Sequence, residues 1–142
     1  MGTGRPAIAI NNGLASTSIS NSTFSDIYMH AVVFANAAAG NFTSNVMYKT
    51  IGSSLRIENT LFKGESVFNV HGNLASGAVA EEMNREMSTV ANFVFCPYVT
   101  ACMVRAENNV AAGSEYYGFV SKALPYALHS RTVLSTVLYC TK

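Results

Sequence analysis

The chain carries little charge, no tryptophan and only three prolines in its 142 residues. Charged side chains make up 12% of the sequence, about half of the usual share, and the formal net charge is +1. The nine basic residues are scattered singly, so the sequence has no basic patch for nucleic acid. No apolar run reaches the roughly 18–20 residues that a membrane-spanning helix requires. We therefore expect neither a nucleic-acid partner nor a membrane span.

Cysteine and histidine are also sparse, and neither has the spacing of a metal site. The cysteines form an odd set without a C-x-x-C pair: Cys96, Cys102 and Cys140. A bridge between Cys96 and Cys102 across a turn and a set of buried free thiols are both open alternatives. The histidines are dispersed along the chain: His30, His71 and His129. We expect no metal and no cofactor.

The residues that are abundant indicate β structure. Hydrophobic residues make up 49% of the sequence, which is enough for one domain with a buried core. Much of the remainder is Asn, Ser, Thr and Gly, and these residues favour tight turns. The composition therefore predicts a folded, turn-rich β protein rather than a disordered chain.

A block of six residues recurs at intervals of 23–24 residues. The sequence A-I-A-I-N-N beginning at Ala7 returns as A-V-V-F-A-N at Ala31 and as S-L-R-I-E-N at Ser54. Its second and fourth positions are always large and apolar: Ile8 and Ile10, Val32 and Phe34, Leu55 and Ile57. Asparagine recurs in two rows: Asn12, Asn36 and Asn59, and Asn21, Asn45 and Asn69.

This recurrence predicts a stack of similar coils. Alternation within a block is typical of a short strand with one buried face, and its repetition makes each block one coil. We predict an all-β, parallel β-helix over residues 7–122, whose asparagine rows form ladders of amide hydrogen bonds between coils. Near 78–90 the alternation is lost and apolar residues take helical spacing, which predicts a short helical or irregular insertion. Residues 123–142 fit no coil and are expected to form a tail or cap.

Three segments of the chain have distinctive motifs. The first is N-V-M-Y-K-T-I-G at Asn45, with L-R-I-E at Leu55. The second is F-N-V-H-G-N-L at Phe68, and the third is N-N-V-A-A-G-S-E at Asn108 with G-F at Gly118. In this order they resemble proteins that contain the G8 domain, a group that includes fibrocystin-like proteins and cell-surface hyaluronidases. The resemblance covers roughly residues 7–120. Val120 stands where the group usually has tryptophan, and the G8 domain itself is not in this chain.

The resemblance implies a right-handed, pectate-lyase-like solenoid from a larger extracellular or cell-surface protein. Its implied role is structural support or recognition of a polysaccharide or a cell-surface protein; the alternative is part of an enzyme that degrades a hyaluronan-like polysaccharide. Residues 1–6 hold one arginine and no apolar stretch, so we expect no signal peptide and a chain that is a fragment if secreted. Asn21 and Asn41 begin glycosylation sequons, which matter only in a secreted protein.

Catalysis would require two carboxylates about 5–10 Å apart. In the predicted register Asp26 lies beside Thr50 and Glu58 beside Ala35, so no carboxylate pair shares a row. We therefore expect the chain alone to be a structural or binding segment rather than a hydrolase.

The strongest candidate for a ligand site is Glu115 with Tyr116 and Tyr117. The carboxylate can accept hydrogen bonds from sugar hydroxyls while tyrosine rings stack on sugar faces, and Glu115 is also the one weak catalytic candidate. The structural alternative is a tight turn in which Gly113 and Gly118 adopt positive φ and Glu115 caps backbone N–H groups.

Overall fold

The computed structural model describes residues 5–13, 15–60, 67–79, 91–97, 104–115 and 117–121. All of the helix or strand structure within these ranges is β-strand, and no helix there is long and apolar enough to cross a membrane. The strands follow one another in this order: β1 (Ile8–Asn11), β2 (Thr17–Ser20), β3 (Thr23–Ile27), β4 (Val32–Ala37), β5 (Gly40–Thr43), β6 (Val46–Ile51), β7 (Leu55–Thr60), β8 (Phe68–His71), β9 (Leu74–Val79), β10 (Ala91–Phe95), β11 (Val104–Glu107), β12 (Val110–Ala112) and β13 (Tyr117–Ser121).

The strands form three parallel sheets. Sheet 1 has the order β1-β4-β7-β10-β13, sheet 2 the order β2-β5-β8-β11, and sheet 3 the order β3-β6-β9-β12. The chain therefore visits the three sheets in turn, and every three strands make one coil. Coil 1 is β1–β3, coil 2 is β4–β6, coil 3 is β7–β9 and coil 4 is β10–β12, while β13 begins a fifth. This is the arrangement expected of a parallel β-helix, and the predicted all-β class is confirmed.

The interior consists of apolar rows that run from coil to coil. Ile8 pairs with Val32 and Val32 with Leu55, as the repeat predicted. The second row, from Ile10 through Phe34 to Ile57, is also in register. Phe93 and Phe95 continue the two rows in coil 4. Aromatic rings fill much of the core: Phe34 packs edge-on against Phe68 at 5.3 Å between centroids, and Phe93 stacks on Phe119 at 4.9 Å.

A hydrogen-bonded asparagine ladder stabilises the turn between sheets 2 and 3. The Oδ1 atom of Asn73 accepts the backbone N–H of Asn45 at 2.9 Å and its Nδ2 group at 3.1 Å. Asn109 repeats the pattern one coil further on, at 3.1 Å and 2.8 Å to Asn73. In coil 1 the corresponding position is Ser22, whose N–H donates to Asn45 Oδ1 at 3.0 Å. The side-chain amides also donate to strand carbonyls of the preceding coil, so the ladder joins all four coils.

The ladder differs from the predicted row of Asn21, Asn45 and Asn69. Asn21 lies one position earlier, in a left-handed conformation (φ 52°) next to the equally left-handed Ser44 (φ 55°). Asn69 lies on β8 beside Asn41, and the two side chains share a hydrogen bond of 3.0 Å. The difference has two causes: the ladder position in coil 1 precedes Asn45 by 23 residues rather than 24, and coil 3 is longer than coils 1 and 2. Asn73 follows Asn45 by 28 residues rather than 24, and Asn109 follows Asn73 by 36.

In the other predicted row, Asn12, Asn36 and Asn59, the first two residues lie in register and the third does not. Asn12 and Asn36 both have left-handed backbone, with φ of 55° and 52°. Asn59 pairs with Ala35 instead of Asn36, because the register shifts after Phe34 and Ile57. Glu58 is the extra residue of this β-bulge. It therefore does not lie beside Ala35 as predicted.

A spacing of 23 residues between β3 and β6, instead of the predicted 24, moves Asp26 away from its predicted neighbour. Ile27, not Asp26, pairs with Thr50, so Asp26 lies beside Lys49. Both residues have positive φ, and Gly77 and Gly113 occupy the same position in coils 3 and 4, again with positive φ. The prediction for Gly113 is thus confirmed, whereas Gly118 lies within strand β13.

Several predictions fall partly or wholly outside the described residues. Cys96 is disulfide-bonded, and the other two cysteines, Cys102 and Cys140, lie outside the described ranges. Ala78 and Val79 belong to strand β9, while the remainder of the predicted insertion, residues 80–90, is not described. The predicted tail or cap, residues 123–142, is not described either.

Candidate recognition surface

The outer face of sheet 1 is not free. Its outward row runs from Val33 through Arg56 to Val94, and these residues are only 7%, 3% and 0% exposed. Arg56 Nε donates to Glu58 Oε1 at 2.7 Å, so the bulge at Glu58 supplies the carboxylate that pairs with a buried guanidinium. A buried, paired arginine is expected here, because an unpaired one would be costly. This face is therefore covered in coils 2 to 4, whereas Ala9, which continues the row in coil 1, is exposed.

His30 extends this buried region to the corner between sheets 3 and 1. It is 5% exposed, and its Nδ1 atom accepts the N–H of Ser53 at 2.8 Å. Burial, together with the positive charge of Arg56, lowers the pKa of His30 from 6.5 to about 4. A neutral His30 is consistent with the hydrogen bond, since a protonated Nδ1 cannot accept it. Its role in the described structure is to fix this corner.

The outer face of sheet 2 is polar. One row carries Ser18, Asn41, Asn69 and Arg105, and a second carries Ser20, Thr43, His71 and Glu107. Glu107 forms an ion pair with Arg105, with Oε1 3.1 Å from Nε, and its Oε2 atom lies 4.0 Å from His71 Nδ1. This face has no exposed large apolar side chain among the described residues.

The outer side of sheet 3, in contrast to that of sheet 2, carries large apolar side chains. Seven large hydrophobic side chains in the described part of the chain are strongly exposed, and six of them lie on its outer side or at its end. These six form what we call the apolar face: Tyr28, Val46, Tyr48, Leu74, Val79 and Val110. Val46, Leu74 and Val110 are 40%, 43% and 40% exposed and lie side by side in consecutive coils. A contiguous apolar surface of this kind indicates an interaction site.

A cavity of about 230 Å³ lies at the coil 1 end of the apolar face. Its lining is mostly apolar, with one acid, one base and two hydroxyl side chains: Asp26, Ile27, Tyr28, Lys49, Thr50, Ile51 and Val79. Ligand sites commonly combine an apolar lining with a few polar groups that orient the ligand. The left-handed positions of Asp26 and Lys49 create this combination, because they place two charged side chains beside an apolar corner.

The polar groups of the cavity are accessible. The side chains of Asp26 and Lys49 are 68% and 60% exposed, and Lys49 Nζ lies 3.9 Å from Asp26 Oδ1. An ion pair this exposed contributes little to stability, so either partner can turn to a ligand at small cost. Lys49 Nζ also lies 5.1 Å from the centre of the Tyr48 ring. Tyr28, which is 80% exposed, and Tyr48, which is 47% exposed, present ring surface to solvent.

The predicted site residues occupy a different position. Glu115 is exposed, and its backbone N–H donates to the carbonyl of Ala78 at 2.9 Å. It therefore lies at the coil 4 end of the corner between sheets 3 and 1. Tyr117 is 52% exposed but lies on β13 in sheet 1, and Tyr116 is outside the described residues. Glu115 is three coils from Tyr28, roughly 14 Å at about 4.8 Å per coil. Glu115 does not line the cavity, although it lies one coil from Val79, which does.

The four carboxylates within the described ranges are dispersed. Asp26 lies on β3 at a position of positive φ, Glu58 in the bulge of sheet 1, Glu107 at the end of β11 and Glu115 after β12. No two of them share a row, so the described residues do not form the carboxylate pair of a glycosidase. Nor do they include a cluster of three or more histidine, cysteine or acidic residues able to hold a metal ion.

The two glycosylation candidates differ in accessibility. Asn21 is exposed at the turn between sheets 2 and 3. Asn41 is half-buried on β5, where its Oδ1 atom accepts from Asn69. Asn21 is therefore the more accessible of the two for a modifying enzyme.

No protein-family model matches the chain, and neither a curated protein nor a solved structure has a significant match to it. The resemblance to proteins with a G8 domain therefore stays a prediction.

Proposed function

We propose that the chain is a right-handed β-helix segment of a larger extracellular or cell-surface protein, and that its apolar face binds a polysaccharide without cleaving it. The observation that carries the proposal is the concentration of exposed apolar and tyrosine side chains on one sheet of three. Sheet 2 is polar and sheet 1 is covered in coils 2 to 4, so sheet 3 alone presents several large apolar side chains to solvent among the described residues. The resemblance to fibrocystin-like and hyaluronidase-like proteins supports the same location and ligand class.

The chemistry of the face suits a sugar polymer. A pyranose ring has faces of C–H groups and a rim of hydroxyls. The Tyr28 and Tyr48 rings can pack against such faces, as aromatic rings do against other flat apolar groups. Asp26 can accept hydrogen bonds from the hydroxyls, and Lys49 can donate to ring oxygens or to the carboxylates of an acidic sugar. Binding rather than hydrolysis is proposed because the described carboxylates are not paired.

The test is a titration of the full chain with oligosaccharides of hyaluronan and of cellulose, followed by calorimetry. We expect binding of at least one of them. Tyr28→Ala and Tyr48→Ala should each raise the dissociation constant about tenfold, which corresponds to about 1.4 kcal/mol for a lost aromatic contact. Tyr117→Ala is the matched control, because Tyr117 is 52% exposed but lies on another sheet.

Three results would contradict the proposal. The first is no binding of any oligosaccharide by the unaltered chain. The second is an affinity that falls with Tyr117→Ala or Glu115→Gln but is unchanged by Tyr28→Ala and Tyr48→Ala. That result would favour a ligand site at Glu115. The third is the appearance of new reducing ends during incubation with hyaluronan, which would favour the alternative of a polysaccharide-degrading enzyme.

A further inference from the structure

The charged side chains of the described coils constrain the charge of the ligand. The proposed function leaves that charge open, because Lys49 can meet an acidic sugar and the tyrosine rings can meet a neutral one. The two classes of sugar differ in what they need from a protein. A sugar carboxylate that leaves water must find a cation or several hydrogen-bond donors, whereas a neutral sugar needs partners for its hydroxyls alone.

Three of the four basic side chains in the described ranges lie beside a carboxylate of this chain. The three pairs, with their nitrogen–oxygen distances, are Arg56 with Glu58 at 2.7 Å, Arg105 with Glu107 at 3.1 Å and Lys49 with Asp26 at 3.9 Å. The fourth base, Arg5, precedes β1. Lys49 is the one base of the four that lies on sheet 3. An acidic ligand on the apolar face would therefore meet one described cation, and it would share this cation with Asp26.

In coils 3 and 4, sheet 3 carries no basic side chain. Strand β9 reads L-A-S-G-A-V and strand β12 reads V-A-A. Leu74 and Val110 are 43% and 40% exposed on the outer side of these strands. Glu115, which is exposed after β12, adds a negative charge at the coil 4 end. A sugar carboxylate held over this part of the face would lose water against apolar side chains and gain no described cation in return.

The length of the apolar face brings these coils into contact with a polymer. From coil 1 to coil 4 the face extends roughly 14 Å, at about 4.8 Å per coil. Polymers of uronic acids carry a carboxylate on every sugar or on every second sugar. A chain that follows the face and pairs one carboxylate with Lys49 therefore brings the next carboxylate towards coils 3 and 4.

We propose that the apolar face selects a neutral polysaccharide over an acidic one. This inference rests on the proposed function and names the class of ligand that the face favours. The carboxylate of Asp26 accepts hydrogen bonds from sugar hydroxyls, and the ammonium group of Lys49 donates to sugar oxygens. The rings of Tyr28 and Tyr48 pack against C–H faces, which requires no charge on the ligand.

The test compares two ligands that differ in their carboxyl groups alone. The first is a set of hyaluronan oligosaccharides, and the second is the same set after chemical reduction of each carboxyl group to a primary alcohol. Binding of each to the full, unaltered chain is measured by calorimetry at low ionic strength, where charges are least screened. We expect the reduced form to bind at least about tenfold more tightly, because it places no carboxylate on the apolar coils.

A variant then tests whether the charge pair sets this preference. Asp26→Asn removes the carboxylate beside Lys49 and keeps an oxygen that accepts from hydroxyls, and asparagine tolerates the left-handed backbone at this position. The ratio of the two affinities should shift about fivefold towards the acidic form, because the lysine is then available to a sugar carboxylate. Glu107→Gln is the matched control. It removes the carboxylate beside Arg105 on sheet 2, so the ratio should stay the same.

The outcomes separate this inference from the proposed function. Tighter binding of the acidic form, or equal binding of both forms, would overturn the inference and leave the proposed function standing. Binding of neither form would overturn both. A ratio that shifts as much with Glu107→Gln as with Asp26→Asn would also overturn the inference, since the selectivity would then not arise from the charges of the apolar face.

Discussion

We expect a substitution at Asn73 to lower the free energy of unfolding by a large amount for a side chain of this size. Its side chain makes four hydrogen bonds, two to Asn45 and one each to the carbonyl of Phe42 and to Oδ1 of Asn109. The residue is 1% exposed, so water cannot replace these partners. Asn73→Leu keeps a side chain of similar size and removes all four bonds. The backbone N–H of Asn45 is then left without the acceptor that it has in the ladder.

The expected loss of stability follows from these contacts. Four hydrogen bonds at about 1 kcal/mol each, with an added penalty for a buried N–H left unpaired, give roughly 4–6 kcal/mol. Folded domains are stable by only about 5–15 kcal/mol, so the change consumes much of the total. The control is Asn69→Leu, since Asn69 is half-buried on the outer face of sheet 2 and bonds to Asn41 alone among the described side chains. There we expect a loss of at most about 1 kcal/mol.

The assay is urea unfolding of the full, unreduced chain followed by circular dichroism. If Asn73→Leu does not fold, Asn109→Leu is the milder variant, because Asn109 ends the ladder and its side chain bonds in one direction only. A free energy of unfolding that falls equally in the Asn73 and Asn69 variants would refute the reasoning. It would mean that the ladder contributes no more than an exposed amide pair.

Two further predictions concern the corner between sheets 3 and 1. The pKa of His30 is about 4 when folded and 6.5 when unfolded, so stability should be constant above pH 6.5 and fall between pH 6.5 and 4, by up to roughly 3 kcal/mol. Urea unfolding of His30→Asn should lack this dependence, whereas the exposed-site control His71→Asn should keep it. Gly52→Ala should lower the melting temperature more than Gly113→Ala, although both glycines have positive φ. A Cβ at Gly52 would lie 2.8 Å from His30 Nδ1, but at Gly113 its nearest neighbour would be 3.7 Å away; equal effects would contradict this packing argument.

The interior rows could be predicted because they depend on local patterns. Alternation within a strand identifies the inward positions, and a coil of nearly constant length repeats them. Ile8, Val32 and Leu55 meet both conditions and lie in register. The ladder could not be predicted in the same way, because its register depends on the length of each coil. Once coil 3 lengthens, the asparagine spaced by 24 residues is no longer the one in the ladder.

The apolar face escaped prediction for a different reason. In β9 the inward residue is Ala75 and the outward residue is Leu74, and in β12 the inward residue is Ala111 and the outward residue is Val110. Hydrophobicity alone would place the larger side chain inside. The interior takes alanine at these positions because large aromatic side chains elsewhere in the coils already fill it: Phe34, Phe42, Phe68 and Phe93.

The ladder and the apolar face are also connected through the chain. Each ladder residue directly precedes a residue of the outer row: Ser22 and Thr23, Asn45 and Val46, Asn73 and Leu74, Asn109 and Val110. The hydrogen bonds that hold the turns in line therefore also hold the first outer row of sheet 3 in line. A ligand that lies along this row meets side chains whose spacing is set by buried amides rather than by flexible loops. Such a surface is organised before binding, so little conformational entropy need be lost when a ligand binds it.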